Sequence, residues 1–263
     1  MQVIIVSDAA EGAREVADVF ERVLRDAGPV VLGLATGSSP LAGYRELIRR
    51  HREEGLSFAS ARAFLLDEYV GLPSDHEQSY HRFIRENLTW HIDIDDAAVL
   101  SPHGQAADPI AEADRYDRSI AEAGGVDLQI LGIGSNGHIA FNEPGSSLAS
   151  RTRPVVLTES TIADNARFFD SREDVPTLAL SQGLGTIREA KEIVLTATGE
   201  NKARAIAQMV EGPISARWPA SCLQLHPAVT VVVDEAAASQ LELTDYYRHM
   251  RRVAQEESLT SRS

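Results

Sequence analysis

Two adjacent carboxylates, Asp67 and Glu68, are the first residues whose position suggests chemistry. They follow directly on the apolar run AFLL, which has the length and composition of a buried strand. A carboxylate at the mouth of a crevice is partly desolvated, which raises its pKa towards that of a useful base. An Asp here is more commonly a turn or helix cap, although Tyr69, Val70 and Gly71 are a weak start for a helix. Both interpretations stay open on this segment alone.

A histidine and a third carboxylate lie five residues apart in the segment GIGSNGHIAFNEP, after the apolar run LQIL. His138 and Glu143 are suited to proton transfer, because a carboxylate can orient an imidazole and stabilise its charge. A single loop histidine is more often solvated or structural. Only other residues of matching chemistry favour catalysis here.

The same segment has glycines at the spacing GxGxxG, namely Gly132, Gly134 and Gly137, which is one mark of a nicotinamide-binding loop. Glu159 lies near the distance expected of a ribose-binding carboxylate. Pro144, however, follows Gly137 by only seven residues, which leaves little room for the helix that should receive the pyrophosphate. The spacing therefore argues against a dinucleotide.

Two further segments contain groups that could hold a phosphate. The loop of Thr36, Gly37, Ser38 and Ser39 offers hydroxyls and free backbone N–H groups, before a proline suited to a first helical turn. It lacks the GK[ST] ending of a Walker loop, and an ordinary capped turn is an equally good interpretation. Lys202, in the segment TGENK, is either a phosphate ligand or a solvated side chain at the start of a predicted helix.

The elements that position these groups alternate in type. Short aliphatic runs and longer amphipathic ones follow one another to about residue 235, which predicts an α/β fold with a mostly parallel sheet. Strands are predicted at 3–6, 30–35, 63–66, 126–131, 155–158, 193–197 and 229–233. Helices are predicted after the first strand, as far as Gly28, and near 40–54, 78–89, 108–123, 160–169 and 200–211. Because the strands are apolar on both faces, the sheet should be doubly wound, with helices on each side.

The candidate residues all follow predicted strands. Ligands of open parallel sheets bind beyond the carboxyl ends of the strands, where loops converge and helix N-termini point their positive ends. We therefore expect the loop 36–39, Asp67, His138 and Lys202 to share one edge of the sheet.

Length and composition favour a single domain at residues 1–250, with a polar tail at 251–263 that is expected to fray. The net charge of −14 argues against nucleic acid and acidic membranes as partners, so an anionic ligand must be held locally. Cys222 is the only cysteine, and neither paired cysteines nor HExxH indicate a metal. Without a signal-peptide core or a membrane-spanning run, a cytoplasmic location is expected. Self-association is left open.

Five segments, taken together and in this order, resemble one enzyme family, the glucosamine-6-phosphate deaminases: LDEYVGL, GIGSNGHIAFNEPGSS, SLASRTR, ARFFD and SCLQLHP. The resemblance spans about residues 30–235. It implies a modified Rossmann-like fold and the conversion of glucosamine 6-phosphate to fructose 6-phosphate and ammonia. It also implies that neither a metal nor an organic cofactor takes part.

The resemblance implies a role for each matching residue. Asp67 becomes the base that moves a proton between the first and second sugar carbons, and Glu68 stands beside it among the substrate-binding residues. His138 assists ring opening and is oriented by Glu143. The substrate loop is Thr36, Gly37, Ser38 and Ser39, and the phosphate-binding cations are Arg167 and Lys202.

One departure from the family pattern concerns Asn136, which stands where some members have an Asp. It stays among the residues expected in catalysis. An amide can hold His138 but cannot offset its charge as a carboxylate would. Polarisation of the histidine is then expected to rest on Glu143.

A second departure concerns regulation. Regulated members use a basic pair to bind an allosteric anion, and here Val155 stands in the place of the second cation. Ser146, Arg153 and Tyr246 remain as residues that could contact such an anion. The resemblance therefore gives no expectation of activation by an acetylated amino-sugar phosphate.

Three other functions fit parts of the pattern. A 6-phosphogluconolactonase has a related fold and a phosphate anchor in common, but the DEY triplet and the NGHIAFNEP loop favour the deaminase. A sugar-phosphate sensor without turnover is compatible with Asn136. A galactosamine-6-phosphate enzyme differs only in the orientation of one substrate hydroxyl, which these motifs do not specify.

Overall fold

The computed structural model describes residues 1–26, 28–166, 169 and 171–260. Within these residues the chain forms ten strands and eight α-helices. The strands are β1 (Gln2–Val6), β2 (Val30–Leu34), β3 (Ala61–Leu65), β4 (Asp67–Tyr69), β5 (Val99–Leu100), β6 (Leu128–Leu131), β7 (Arg153–Val156), β8 (Leu178–Ser181), β9 (Glu192–Ala197) and β10 (Val229–Asp234). The helices are α1 (Ala9–Asp26), α2 (Leu41–Glu54), α3 (Tyr80–Asn87), α4 (Pro109–Glu122), α5 (Glu159–Asn165), α6 (Leu184–Arg188), α7 (Ala203–Val210) and α8 (Thr244–Thr260).

Seven of the described strands form one sheet in the order β1-β10-β9-β6-β2-β3-β5, and every neighbouring pair is parallel. Strands β2 and β6 are buried along their whole length, as expected of strands whose two faces are both covered by helices. The predicted parallel sheet flanked by helices is confirmed. Parallel pairing brings the carboxyl ends of all seven strands to one edge.

Helices α1 and α2 pack against each other and contribute fully buried Phe20, Tyr44 and Leu47 to the main core. Tyr44 also fixes the end of β2. Its hydroxyl donates to the carbonyl of Ala35 at 2.7 Å and accepts from the Ala35 N–H at 3.1 Å. The loop that begins at Thr36 therefore starts from a rigid point.

A second, antiparallel sheet has the order β4-β8-β7. It has a small core of its own, formed by Tyr69, Phe141, Leu157, Ile162, Val175 and Ala179. The sequence predicts a strand at 155–158, which exists as β7 but belongs to this sheet rather than to the parallel one. Strands β4 and β8 are not predicted, since three or four residues with polar ends give no clear period.

The C-terminal helix α8 also departs from the prediction, because the expected frayed tail is helical through Thr260. Arg251 joins it to the domain: the guanidinium donates to the carbonyl of Ile5 at 3.3 Å and pairs with Glu11 and Glu15 on α1. Residues 251–260 of the tail that the sequence predicts to fray are part of this helix. Among the described residues, no helix is both long and apolar enough to span a bilayer.

Candidate active site

Asp67 lies where β3 leaves the parallel sheet and turns into β4. The N–H of Leu66 still bonds to Leu34 of β2, at 3.2 Å, and Asp67 then pairs with Ser181 of β8. The carboxylate is 5% exposed and accepts no hydrogen bond from any described residue. Burial, and secondarily the charge of Glu68, raise its pKa to about 8. A buried, unbonded carboxylate with this pKa is poised to exchange a proton near neutral pH.

Glu68 points to the opposite side of β4, against the N-terminus of α3. Its oxygens accept from the N–H groups of Tyr69, Tyr80 and His81 and from the hydroxyl of Ser79, at 2.8–3.0 Å. Burial raises its pKa, and these bonds limit the rise. Four donors use the acceptor capacity of a carboxylate. The arrangement favours a positioning role over the substrate-binding role that the sequence predicts for Glu68.

The loop after β6 is anchored beside Asp67. The N–H of Phe141 donates to the hydroxyl of Ser181, the β8 residue that pairs with Asp67, at 3.1 Å. The buried amide of Asn142 donates to the carbonyls of Ile139 and Gln182 at 3.1 and 2.8 Å. These bonds hold Phe141 and Asn142 against Ser181 and Gln182, next to the β8 residue that pairs with Asp67.

The glycines of this loop are explained by the packing of nearby side chains and not by a bound dinucleotide. Within the described residues 132–152 no helix follows β6, so no helix N-terminus is present to receive a pyrophosphate. A Cβ on Gly134 would lie 2.3–2.6 Å from three atoms of the His138 ring. Gly137 has φ +85°, and a Cβ there would lie 2.7 Å from the indole of Trp218. The glycines let the imidazole and the indole pack directly on the backbone.

Glu143 is the centre of the polar contacts around His138. Its Oε1 accepts from the hydroxyl of Thr161 at 2.6 Å and lies 3.5 Å from Nδ1 of His138, and its Oε2 accepts from the amide of Asn136 at 2.7 Å. Burial alone would raise the pKa of Glu143. The contacts with His138, Thr161 and Asn136 outweigh burial and hold its pKa at about 2. Glu143 is therefore ionised throughout the neutral range and acts only as an acceptor.

Asn136 supports this arrangement from the loop backbone. Its Oδ1 accepts from the N–H of His138 at 3.2 Å, while its amide nitrogen donates to Glu143. It thus links the histidine backbone to the carboxylate and does not itself reach the imidazole Nδ1. The carboxylate next to the imidazole is that of Glu143, 3.5 Å from Nδ1.

The loop 36–39 and Lys202 border neighbouring parts of the same edge. Ser39 lies against Gly132, since a Cβ on that glycine would be 3.3 Å from the serine Cβ. Lys202 is half-buried at the end of a 3-10 turn, Glu200–Lys202. A cavity of about 210 Å³ is lined by Ser38, Ser39 and Thr198 together with residues of α1 and α2. Thr198 belongs to the segment TGENK, but Lys202 is not among the lining residues, which also include the carboxylates Asp8 and Asp234.

The candidate residues leave four consecutive strands of the sheet. In the order β9-β6-β2-β3, the strands are followed by Lys202, His138, the loop 36–39 and Asp67. Arg167 lies outside the described residues. Among the described residues, no group of three or more His, Cys, Asp or Glu is arranged to hold a metal ion. The sheet order thus brings Asp67, His138, the loop 36–39 and Lys202 to one edge of the sheet.

Two contributors are missing from the sequence prediction, Thr161 and Gly134. Thr161 lies 18 positions after Glu143 on another element, so no local spacing indicates their contact. Gly134 was visible only as part of a glycine pattern that usually indicates nucleotides. The sequence signal that indicates the packing of Gly134 against His138 is a histidine four residues after a glycine in an irregular loop.

Comparison with known proteins places these features in a family. The family described as glucosamine-6-phosphate isomerases/6-phosphogluconolactonase matches residues 7–232. A glucosamine-6-phosphate deaminase of Rhodococcus jostii is 60% identical over 249 residues, which cover 95% of this chain and 96% of the relative. That of Cellvibrio japonicus is 54% identical over 252 residues, which cover 96% of each chain.

Two solved structures have a fold similar to that of this chain. A monomeric glucosamine-6-phosphate deaminase superposes with a TM-score of 0.89 at 43% identity and covers 91% of this chain and 100% of its own. A 6-phosphogluconolactonase from Trypanosoma cruzi has a TM-score of 0.71 at 20% identity, covering 92% of this chain and 97% of its own. The second likeness shows the shared fold alone.

Proposed function

The chain belongs to the family of glucosamine-6-phosphate isomerases and 6-phosphogluconolactonases, and on that premise we propose that it deaminates glucosamine 6-phosphate. The products are fructose 6-phosphate and ammonia. Relatives at 54–60% identity that match nearly the whole chain are glucosamine-6-phosphate deaminases by name. The observation that carries the proposal is the row of catalytic and anion-binding groups beyond β9, β6, β2 and β3.

The proposed reaction begins with ring opening. His138 moves a proton between the ring oxygen and the first hydroxyl, and Glu143 holds the imidazole orientation from the Nδ1 side, 3.5 Å away. The open chain presents an aldehyde at the first carbon. Its neighbouring carbon, which bears the amine, then loses a proton more readily.

Asp67 carries the next step. Its carboxylate removes the proton from the second carbon, which gives an enolamine, and returns it to the first carbon. The resulting protonated imine at the second carbon takes up water and releases ammonia, leaving the ketose. Since the carbon skeleton is oxidised at one carbon and reduced at the next, no electron carrier enters the balance, and we propose no cofactor.

The 6-phosphate is proposed to bind at the loop 36–39, with Lys202 and Arg167 as its cations. Local cations are needed because the whole chain has a net charge of −14, which repels a dianion at long range. Regulation by an acetylated effector is not proposed: Val155 lies in β7, and Arg153 donates to Asn142 at 2.9 Å and contacts the Ser146 hydroxyl at 3.4 Å. We further propose that the enzyme works in the cytoplasm.

The monomeric deaminase among the structural relatives bears on self-association. Because that relative is described as monomeric, the fold by itself does not imply self-association. The self-association that the sequence leaves open stays a prediction for this chain.

An assay of ammonia release tests the proposal directly. Purified chain is incubated with glucosamine 6-phosphate, galactosamine 6-phosphate and, separately, 6-phosphogluconolactone, with and without N-acetylglucosamine 6-phosphate. Ammonia and fructose 6-phosphate in equal amounts from the glucosamine compound are expected. Turnover of the lactone alone would support the lactonase instead, and binding of sugar phosphates without any turnover would support a sensor.

Replacement of the proposed phosphate cations should affect affinity more than chemistry. In Lys202→Ala and Arg167→Ala, KM is expected to rise about tenfold or more while kcat changes less, because the phosphate does not react. Arg217→Ala, at an exposed arginine, is the control. Michaelis constants equal to wild type in both variants would contradict the phosphate site.

The pH dependence of kcat/KM should report Asp67. Because its pKa is about 8 and only the ionised form can act as a base, kcat/KM is expected to increase with pH up to about 8. The substrate phosphate titrates near pH 6 and adds a separate, lower limb. Steady-state rates from pH 5 to 9 check this, and a profile already level at pH 6 would contradict the assignment.

A further inference from the structure

The hydroxyl of Thr161 makes the shortest contact to Glu143, and no step of the proposed reaction uses it. Thr161 is 9% exposed and lies in the first turn of α5. Its hydroxyl is 2.6 Å from Oε1 of Glu143 and 3.0 Å from the hydroxyl of Thr158. The contact therefore crosses from the antiparallel-sheet side of the molecule to the loop that carries His138.

The direction of each hydrogen bond follows from the charge on Glu143. An ionised carboxylate only accepts, so the Thr161 hydroxyl must donate to Oε1. Its proton is then committed, and Thr158 must donate to the Thr161 oxygen. The Thr158 oxygen also accepts from the Thr161 N–H at 3.2 Å, as the N-cap of α5. The chain of donors runs in one direction, from Thr158 through Thr161 to Glu143.

The histidine side of Glu143 is left unsatisfied. Nδ1 of His138 is buried and has no hydrogen-bond partner among the described residues, although Oε1 of Glu143 is 3.5 Å away. A buried nitrogen without a partner is costly, so the position of Oε1, 3.5 Å away, matters to the imidazole. Oε2 is held by Asn136 at 2.7 Å, and Oε1 is held by Thr161. Without the threonine, Oε1 is free to turn away from Nδ1.

We propose that Thr161 is a positioning residue, which restrains Glu143 and so sets how the carboxylate meets the imidazole of His138. This inference rests on the proposed function, because the imidazole matters through ring opening. It adds that α5, through one hydroxyl, controls the orientation of a catalytic group on another element. Such supporting groups fix the geometry of catalytic side chains without contacting substrate.

Thr161→Val tests the proposal, because valine keeps the shape and removes the donor. The expected result is a fall in kcat of about tenfold, the order of one hydrogen bond to a charged group, with KM changed less than about twofold. Thr161→Ser should restore most of the activity. Thr158→Ala is the matched control: it removes the N-cap of α5 but leaves Thr161 able to donate to Glu143, so kcat should stay near wild type.

A double-mutant cycle separates positioning from a general weakening of α5. In a Glu143→Ala background, Thr161→Val should have almost no further effect on kcat, since the carboxylate that accepts from Thr161 is gone. Equal effects in both backgrounds, or a loss in Thr158→Ala as large as in Thr161→Val, would overturn the proposal.

A measurement independent of activity keeps the inference distinct from the proposed function. In protein with ¹⁵N-labelled histidine, the His138 Nδ1 resonance, assigned by its absence in His138→Gln, should shift in Thr161→Val and return in Thr161→Ser. An unchanged resonance would overturn the proposal. If the wild type releases no ammonia from either hexosamine phosphate, the proposed function fails, and this spectrum still decides whether Thr161 controls the contact between Glu143 and His138.

Discussion

The Asp67→Asn variant is expected to lose kcat by about 10²- to 10⁴-fold, the contribution of a positioned general base. Asparagine has the same shape but cannot take up a proton at neutral pH. The substrate phosphate is bound elsewhere in the crevice, so KM should change far less than kcat. The remaining activity, if measurable, should also lack the limb near pH 8 that the carboxylate gives to the wild type.

The same variant is expected to gain stability relative to the wild type as the pH rises. The pKa of Asp67 is about 8 in the folded protein, above its ordinary value of 3.8, so the folded state holds a proton that the unfolded state releases. Wild-type stability therefore falls as the pH rises from about 4 to 8, by at most about 1.4 kcal/mol per pH unit. The asparagine side chain of the variant does not titrate and is spared this loss. Urea unfolding at pH 5 and pH 8.5 measures the difference.

An inactive variant that is more stable than wild type at pH 8.5 would be hard to explain by misfolding. Asp75→Asn, at an exposed position, is the matched control and should leave both activity and stability near wild type. Asp67→Asn with wild-type turnover would remove Asp67 from the mechanism. Loss of activity together with lower stability at both pH values would indicate a structural role instead.

The sequence was sufficient to predict which edge of the sheet carries the candidate residues, because that prediction needs only the parallel direction of the strands. Once the strands are parallel, Asp67 and His138 must leave the same edge, whatever the exact strand boundaries. The apolar runs of β2, β3, β6 and β9 were sufficient for that. The resemblance to the deaminases added roles to residues that the pattern had already located.

The second sheet was not predictable in the same way. Strand β4 consists of Asp67, Glu68 and Tyr69, whose residue types indicate chemistry rather than a strand. Its alternation matters for function, because successive side chains point to opposite faces. Asp67 and Glu68 thus point to opposite faces of β4, and Glu68 reaches back to the N-terminus of α3. The motif alone could not separate the two carboxylates.

Contacts between elements that are distant in the chain could not be predicted from the sequence either. The bond between Thr161 and Glu143 depends on how the antiparallel sheet packs against the loop after β6, which no single sequence pattern encodes. The helical contacts of Arg251 with α1 are of the same kind. A polar, charged C-terminal segment is interpreted as a frayed tail when the surface that it packs against, here α1, is not known.

Gly134→Ala should reduce kcat about 100-fold or more, because an added methyl group and the His138 ring cannot occupy the same place. The Cβ would lie 2.3–2.6 Å from Cε1, Nδ1 and Nε2 of the imidazole. A displacement of a catalytic group by about 1 Å can cost 10²-fold in rate. KM should change little, since the phosphate loop follows a different strand. Steady-state kinetics on glucosamine 6-phosphate measure both constants.

The stability of this variant distinguishes displacement from unfolding. Gly134 is not among the described residues with positive φ, so alanine fits its backbone, and the imidazole is the group that must move. Gly28→Ala is the matched control, because a Cβ there meets no atom within 4 Å, and it should keep full activity. Both variants should unfold near the wild-type temperature.

A cycle with His138→Asn then identifies the imidazole as the cause. If Gly134→Ala acts by moving His138, adding it to His138→Asn should lower kcat little further, because the group it displaces is already absent. Full additivity would show that the methyl group disturbs something other than the histidine. Wild-type kcat in Gly134→Ala would mean that ring opening does not depend on the position of this imidazole.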